Sequence, residues 1–158
     1  MQTINKFSLN TIAVFTLLMG MNSLVLAEDN MANAEIIKYR QNVMTSQRGH
    51  MGAAAAIIQG KVVFKDQLQA HVSALADTSK QITSLFPKGT EMGETKALKE
   101  VWSNNEEFLK RAKDTQQKAE ALAKAVADGD SMNYGPRLKD LGETCKNCHK
   151  DFRKKEEK

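Results

Sequence analysis

The sequence is poor in residues that interrupt helices and in patterns that build sheets. Only two prolines, Pro87 and Pro136, occur in 158 residues, and alternating runs of β-branched residues are missing. Aromatic residues make up 6% of the chain, and they form no patch with basic residues of the kind that binds nucleic acid. After the first 27 residues the chain has no further long apolar stretch. These shortages disfavour a β-rich fold, a nucleic-acid partner and a membrane span in the body of the chain.

Cysteine is equally scarce, and the only two cysteines stand together. Cys145 and Cys148 lie three residues apart in the segment ETCKNCHKDFRKK, and His149 follows at once. Three interpretations fit this spacing: a redox dithiol, half of a zinc site, or the covalent attachment of a haem. A disulfide between the two cysteines would close only a very small loop and strain a helix.

The first 27 residues have the layout of a secretory signal. Lys6 is their only charge, an apolar run follows over about residues 11–26, and small residues precede the acidic segment that begins at Glu28. The apolar run is short for a membrane anchor and is broken by polar residues. We therefore expect cleavage near Ala27, export to the periplasm, and no membrane span in the mature chain.

The mature chain, residues 28–158, is long enough for one domain with one core. Losing Lys6 lowers the formal net charge from +4 to about +3, and two haem propionates would lower it to about +1. Charges of both signs are interspersed along the chain, apart from the tail RKKEEK.

What the chain does have is helical periodicity. Four segments carry apolar residues at steps of three and four, and they predict helices over about residues 33–59, 66–85, 96–127 and 136–154. The predicted inward faces are Ile37, Arg40, Met44, Gln47, Met51, Ala54 and Ile58; Leu68, Val72, Leu75 and Ile82; Val101, Phe108, Ala112, Ala119, Leu122 and Val126; and Leu138, Leu141, Cys145, Cys148 and Phe152. Glycines at positions 60 and 129 are expected to end the first and third helices. The prediction is an all-α fold, an antiparallel up-down-up-down four-helix bundle.

This setting favours one of the three interpretations of the cysteine motif. A thioredoxin-type dithiol needs a strand before the motif, and none is predicted. A zinc site needs about four ligands, and the remaining histidines, His50 and His71, are lone residues expected on exposed positions of different helices. Cys-x-x-Cys-His is the attachment pattern of a c-type haem, which is also formed outside the cytoplasm. We therefore predict one covalent haem c on Cys145 and Cys148, with His149 binding its iron.

The chain then resembles a known family, the class II c-type cytochromes, which comprise cytochrome c′ and its low-spin relatives. The resemblance is carried by IKYRQ at 37–41, QGKVVFKDQ at 59–67, TKALKEVW at 95–102 and CKNCHKDFRKK at 145–155, with the haem motif on the last helix. It implies a left-handed four-helix bundle around one haem, commonly a homodimer packed through its first two helices.

The resemblance also implies roles for three further residues. Arg40 matches a basic position near the haem propionates, and Arg153 matches a position beside the proximal imidazole. Met44 matches the position that faces the sixth coordination site of the iron. In low-spin relatives a methionine there binds the iron and suits electron transfer, whereas an apolar residue leaves the iron five-coordinate and open to nitric oxide or carbon monoxide. Packing is the ordinary role of a methionine, so this choice stays open.

Two function classes follow from these residues. The first is an electron carrier with His149 and Met44 as axial ligands and a redox protein as its partner. The second is a five-coordinate protein that binds a diatomic gas. We expect no enzyme, because no acid–base constellation is evident near the haem motif. Phe152 and Trp102 are expected to pack in the core, with the indole N–H of Trp102 reaching a hydrogen-bond partner.

Overall fold

The computed structural model describes the backbone of residues 8–155 and the side chains of residues 31–155. The predicted signal peptide, residues 1–27, therefore lies outside the part of the chain whose side chains are described. In the described part, none of the helices is long and apolar enough to cross a membrane.

Five α-helices, and no strand, make up the regular structure of residues 8–155. They are α1 (Ser8–Ile58), α2 (Leu68–Gln81), α3 (Glu100–Ser103), α4 (Asn105–Ala127) and α5 (Ser131–Phe152), and short 3-10 turns flank α2 at Lys65–Gln67 and Ile82–Ser84. The long helices α1, α2, α4 and α5 form the predicted bundle. α1 packs on α2, α2 on α4 and α4 on α5, whereas the neighbouring helices α1 and α5 touch far less than these three pairs. That weak contact leaves space between the first and last helices.

Two glycines turn the chain at one end of the bundle, as predicted. Gly60 has φ +68° and follows α1, and Gly129 has φ +71° and follows α4. After α1, the amides of Gly60 and Lys61 donate to the carbonyls of Ile57 and Ala56; the turn after α4 repeats this pattern. Both turns are Schellman motifs, in which a left-handed residue lets two amides cap the last carbonyls of the helix. We call this end of the molecule the turn end.

The predicted inward faces are confirmed, since every residue assigned to them is buried or half-buried. They pack into two clusters. Toward the turn end lie Ala54, Ile57, Leu68, Val72, Leu75, Ala76, Ala119, Leu122, Leu138 and Leu141. Toward the other end, which we call the cavity end, lie Ile82, Val101, Phe108, Ala112 and Phe152.

Three helix starts differ clearly from the prediction. The first helix was expected from about residue 33, whereas α1 begins at Ser8. The third helix was expected from residue 96, but α3 starts at Glu100, and Asn104 (φ −120°, ψ 50°) separates it from α4. Residues 96–98 instead pair with the end of α5: the amide of Leu98 donates to the carbonyl of Phe152 at 3.0 Å. This long-range pairing satisfies backbone groups that a longer helix would have used.

The last helix was expected to start at Pro136, because proline is favoured in the first turn. α5 instead begins at Ser131 and contains Pro136. The hydrogen bond that this proline cannot make would have involved the carbonyl of Met132, a residue whose exposed fraction is 86%. The helix tolerates the loss because the affected turn lies on the surface.

Candidate haem cavity

A cavity of about 820 Å³ opens between α1 and α5 toward the cavity end. Its walls come from α1, α2, α4, α5 and the segment that leads from α2 to α3. Its volume lies within the range of about 300–1,000 Å³ found for small-molecule and cofactor sites. The side chains of the bundle therefore leave room for a large group at one place.

The α5 wall carries the whole cysteine–histidine motif. Cys145, Cys148 and His149 occupy helix positions i, i+3 and i+4, which share one face, and all three line the cavity. Both cysteines are half-buried and form no disulfide. The structure thus brings together the three residues that the sequence predicts for haem attachment and iron binding.

The state of the two thiols argues against the other interpretations of the motif. Burial, followed by the neighbouring Cys145, raises the pKa of Cys148 to about 11, and burial also raises the pKa of Cys145. A reactive dithiol or a zinc-binding pair needs thiolates, which a raised pKa disfavours. In the described residues, moreover, no group of three or more His, Cys, Asp or Glu side chains is placed to hold a metal ion.

His149 is half-buried and lies beside Arg153. Burial is the main cause, and the charge of Arg153 the second, of a pKa below the usual range of histidine. The neutral imidazole, which is the form that binds a metal, is therefore favoured at neutral pH. Arg153 itself is exposed and lines the rim of the cavity. The predicted neighbourhood of these two residues is thus present.

The α1 wall brings Met44 to the same cavity. Met44 is half-buried and packs against the cavity-end cluster of Ile82, Val101 and Phe108. Gln47 and Met51 continue this wall along one face of α1. Because α1 and α5 form opposite walls, a thioether and an imidazole border one space from two sides.

Aromatic rings close the inner end of the cavity. Phe108 stands edge to face with Phe86 (ring centroids 4.9 Å apart) and with Phe152 (5.4 Å). The indole N–H of Trp102 donates to the carbonyls of Phe86 and Pro87, at 3.1 and 3.2 Å. The predictions for Phe152 and Trp102 are confirmed, and the rings supply an apolar wall suited to a flat macrocycle.

The charges that line the cavity are of one sign. Arg40, Arg48, Lys96 and Arg153 contribute to its lining, and no aspartate or glutamate does so among the described residues. Three of these cations, Arg48, Lys96 and Arg153, are exposed at the rim. A haem has an apolar ring and two propionate groups, so apolar inner walls with a cationic rim fit it. The thiols and the imidazole on the α5 wall complete the fit.

Arg40 has a further role that the sequence did not reveal. Its exposed fraction is only 3%, and burial holds its pKa below the usual range. Its guanidinium donates to the hydroxyl and the carbonyl of Thr90, at 2.8 and 3.0 Å, and to the hydroxyl of Thr95 at 2.6 Å. It also lies over the ring of Phe86, 4.9 Å from the centroid. Arg40 therefore anchors the segment that carries Thr95, Lys96 and Ala97 to the cavity.

Sequence reasoning missed some residues of the site and misplaced others. Arg48 and Lys96 line the cavity, but each looks like an ordinary surface cation in the sequence. The expectation that His50 and His71 are lone and exposed is wrong. Both are half-buried, and their Nδ1 atoms lie 3.0 Å apart between α1 and α2. Their helices cross at this point, a proximity that spacing along the chain does not encode.

Comparison with known proteins agrees with this geometry. The family model described as Cytochrome C′ matches residues 35–153. A cytochrome c′ of Pararhodospirillum photometricum is 35% identical over 118 residues, which cover 74% of this chain and 94% of that protein. A cytochrome c-556 of Agrobacterium tumefaciens strain B2A is 32% identical over 120 residues, which cover 75% and 97%.

A solved structure shares the fold as well as the sequence similarity. It is a nitric oxide complex of a mutant of cytochrome c prime from Alcaligenes xylosoxidans. It matches with a TM-score of 0.72 at 30% identity, and the match covers 78% of this chain and 97% of that one. The similarity thus extends over nearly the whole length of these relatives.

Proposed function

The chain belongs to the cytochrome c′ family, and on that premise we propose that it is a periplasmic electron carrier with His149 and Met44 as axial ligands of its iron. The family carries one covalently attached haem c, and Cys145 and Cys148 are the two cysteines available to hold it. The bound haem supplies a one-electron redox centre; the remaining properties of the site come from the chain.

The observation that carries this proposal is the position of Met44. Its side chain borders the cavity from α1, while His149 borders it from α5. A histidine and a methionine together are an axial pair that raises the potential of haem iron and suits electron transfer. The aromatic wall and the packing of Met44 against the cavity-end cluster restrict its motion, which favours one fixed ligand set over exchange with solvent.

The chain also shapes the surroundings of the iron. His149 is held neutral by burial, so its ring nitrogen is free to coordinate. The apolar inner walls exclude water, and the cations at the rim oppose the charge of the propionates. Such an enclosure disfavours large reactants and leaves the cavity mouth as the contact for a redox protein.

The test compares optical spectra of the haem-loaded protein with those of two variants. We expect a low-spin spectrum with a sulfur-to-iron charge-transfer band, and we expect Met44→Ala to become high-spin and lose that band. Met51→Ala is the matched control, because Met51 lies two turns further along the same wall and also borders the cavity. A high-spin spectrum of the unaltered protein, unchanged in Met44→Ala, would exclude ligation by Met44.

A second function has an observation of its own. The similar solved structure from Alcaligenes xylosoxidans is a nitric oxide complex. If Met44 only packs, the same cavity offers an open coordination position within apolar walls, and we propose binding of nitric oxide or carbon monoxide as the function in that case. Gas titration followed by the optical spectrum separates the two, since a six-coordinate protein resists the gas until Met44 is removed.

We also propose that the protein acts as a carrier and not as an enzyme, and that residues 1–27 direct its export. The first point is supported by the absence of carboxylates from the cavity lining among the described residues. The second is supported by the composition of the segment. Sequencing the N-terminus of the protein from a periplasmic extract tests the proposed export, with Glu28 as the expected first residue.

A homodimer remains a prediction of the family resemblance. Sedimentation of the haem-loaded protein tests it.

A further inference from the structure

His50 on α1 and His71 on α2 form a contact outside the haem cavity. Their Nδ1 atoms lie 3.0 Å apart, and their ring centroids lie 5.3 Å apart with the planes inclined by 51°. Both side chains are half-buried, so solvent reaches the pair. Neither residue lines the haem cavity.

The two imidazoles are free of competing partners. Among the described residues, neither ring has another hydrogen bond or ion pair. Within residues 31–155, the contact that orients these rings is one proton shared between two facing nitrogens. Neither ring is oriented by a carboxylate or a carbonyl of the described residues. A metal ion can therefore replace the shared proton and bind one nitrogen of each ring.

The separation of the nitrogens matches the distance between neighbouring ligands of a transition-metal ion. At metal–nitrogen distances of about 2.0–2.1 Å, neighbouring ligands lie about 2.9 Å apart on a square-planar ion and about 3.3 Å apart on a tetrahedral one. The observed 3.0 Å lies between these values. The rings face each other nitrogen to nitrogen, so each must rotate about its Cβ–Cγ bond to aim its lone pair at the ion.

We propose that His50 and His71 form a two-imidazole site for a divalent transition-metal ion, with copper(II) preferred and zinc(II) or nickel(II) also accepted. Imidazole suits all three ions, and copper(II) forms the most stable complexes in the divalent series. Water completes the coordination sphere on the exposed side. The ion ties α1 to α2 and is separate from the iron of the haem.

The haem-loaded protein makes this site easy to isolate. The sequence contains three histidines, and the proposed function uses His149. Attachment of the haem uses both cysteines. His50 and His71 are then the only imidazoles in the sequence that the haem does not use, so a metal titration of the haem-loaded protein reports on this pair.

The experiment is calorimetric titration of the haem-loaded protein with copper(II), zinc(II) and nickel(II), repeated on His50→Gln, His71→Gln and the double variant. We expect one ion per chain and an affinity at least about tenfold lower in each single variant, since even the loss of an outer-sphere partner weakens metal binding about 10–100-fold. Copper electron paramagnetic resonance is expected to show hyperfine coupling to two nitrogens in the unaltered protein and to fewer in each variant.

Thermal melting with excess chelator establishes that the variants remain folded. Without metal they should melt close to the unaltered protein, and only the unaltered protein should gain melting temperature as metal is added. The proposal is overturned if all four proteins bind the ions equally. It is also overturned if the unaltered protein shows no stoichiometric binding, because the contact is then only a hydrogen bond.

Discussion

The two ends of the bundle are built from the same four helices and yet are packed in different ways. Toward the turn end, small and aliphatic side chains fill the space between the helices: Ala54, Ala119 and Leu122 each have an exposed fraction of 0%. Toward the cavity end, aromatic rings line a space of about 820 Å³. The apolar period is the same in both halves, so the period alone does not decide which half closes on itself and which leaves room for a cofactor.

The two ends are therefore expected to differ in what stabilises them. The turn end buries its apolar side chains against one another. The cavity has exposed cations at its rim, so without haem water would enter and the apolar walls would lose a packing partner. We expect the turn end to be stable by itself and the cavity end to depend on the haem.

Preventing haem attachment is expected to have the largest effect on this comparison. Cys145→Ala combined with Cys148→Ala should abolish covalent haem completely, which a haem stain of a denaturing gel will show. We expect hydrogen exchange to accelerate in residues 40–47 of α1 and in residues 87–99, since α1 and α5 touch only weakly without a group between them. Amides near Val72 and Leu122 should stay protected; a uniform acceleration throughout the bundle would contradict the division into two ends.

A substitution that creates a cavity at the turn end should lower the free energy of unfolding whether haem is bound or not. Leu122→Ala removes a fully buried side chain and is expected to lower the free energy of unfolding by about 2–5 kcal/mol. Leu109→Ala is the matched control on the same helix, because Leu109 is 40% exposed and should change stability by less than about 0.5 kcal/mol. Urea denaturation measures both; equal effects would show that the turn end is not the better packed region.

The rate of alkylation of Cys148 tests whether α5 keeps its position when haem is absent. With a pKa of about 11, the thiol is almost fully protonated at pH 8.5, whereas a thiol of the unfolded chain is about half ionised. Alkylation of Cys148 in the folded haem-free protein should be roughly a hundredfold slower than in the urea-unfolded chain, and it should accelerate as the pH approaches 11. Mass spectrometry of the Cys148 peptide gives the rates; equal rates would mean that this wall has opened.

The smallest expected effect concerns Arg40, which anchors the segment that carries Thr95, Lys96 and Ala97 to the cavity. Arg40→Gln leaves the hydrogen-bonding groups of Thr90 and Thr95 without full partners. It should lower the free energy of unfolding by about 1–3 kcal/mol. Arg40→Lys should not restore stability, because an ammonium cannot reproduce the planar fork of the guanidinium. Arg48→Gln, an exposed change on the same helix, is the control, and chemical denaturation with hydrogen exchange of residues 87–97 is the measurement. Full rescue by lysine would contradict the anchoring role.

Local patterns in the sequence predicted much of this architecture. The inward faces were correct along all four long helices, because the helical period and the need to bury apolar surface act on neighbouring residues. Gly60 and Gly129 were correct as helix ends, because a left-handed residue is a local requirement. Pro136 was misplaced, since proline is tolerated within a helix where the lost hydrogen bond lies at the surface.

The sequence and the tertiary structure determined different parts of the site. The sequence alone determined the haem attachment motif and the helix that carries it, because Cys145, Cys148 and His149 lie within five consecutive residues and act through local spacing. Only the tertiary structure decided that Met44 borders the same cavity, that Arg40 anchors a segment 50 residues away, and that His50 meets His71. Such contacts join helices and connecting segments that are distant in sequence, and their approach is set by the packing of the whole bundle and not by any one segment.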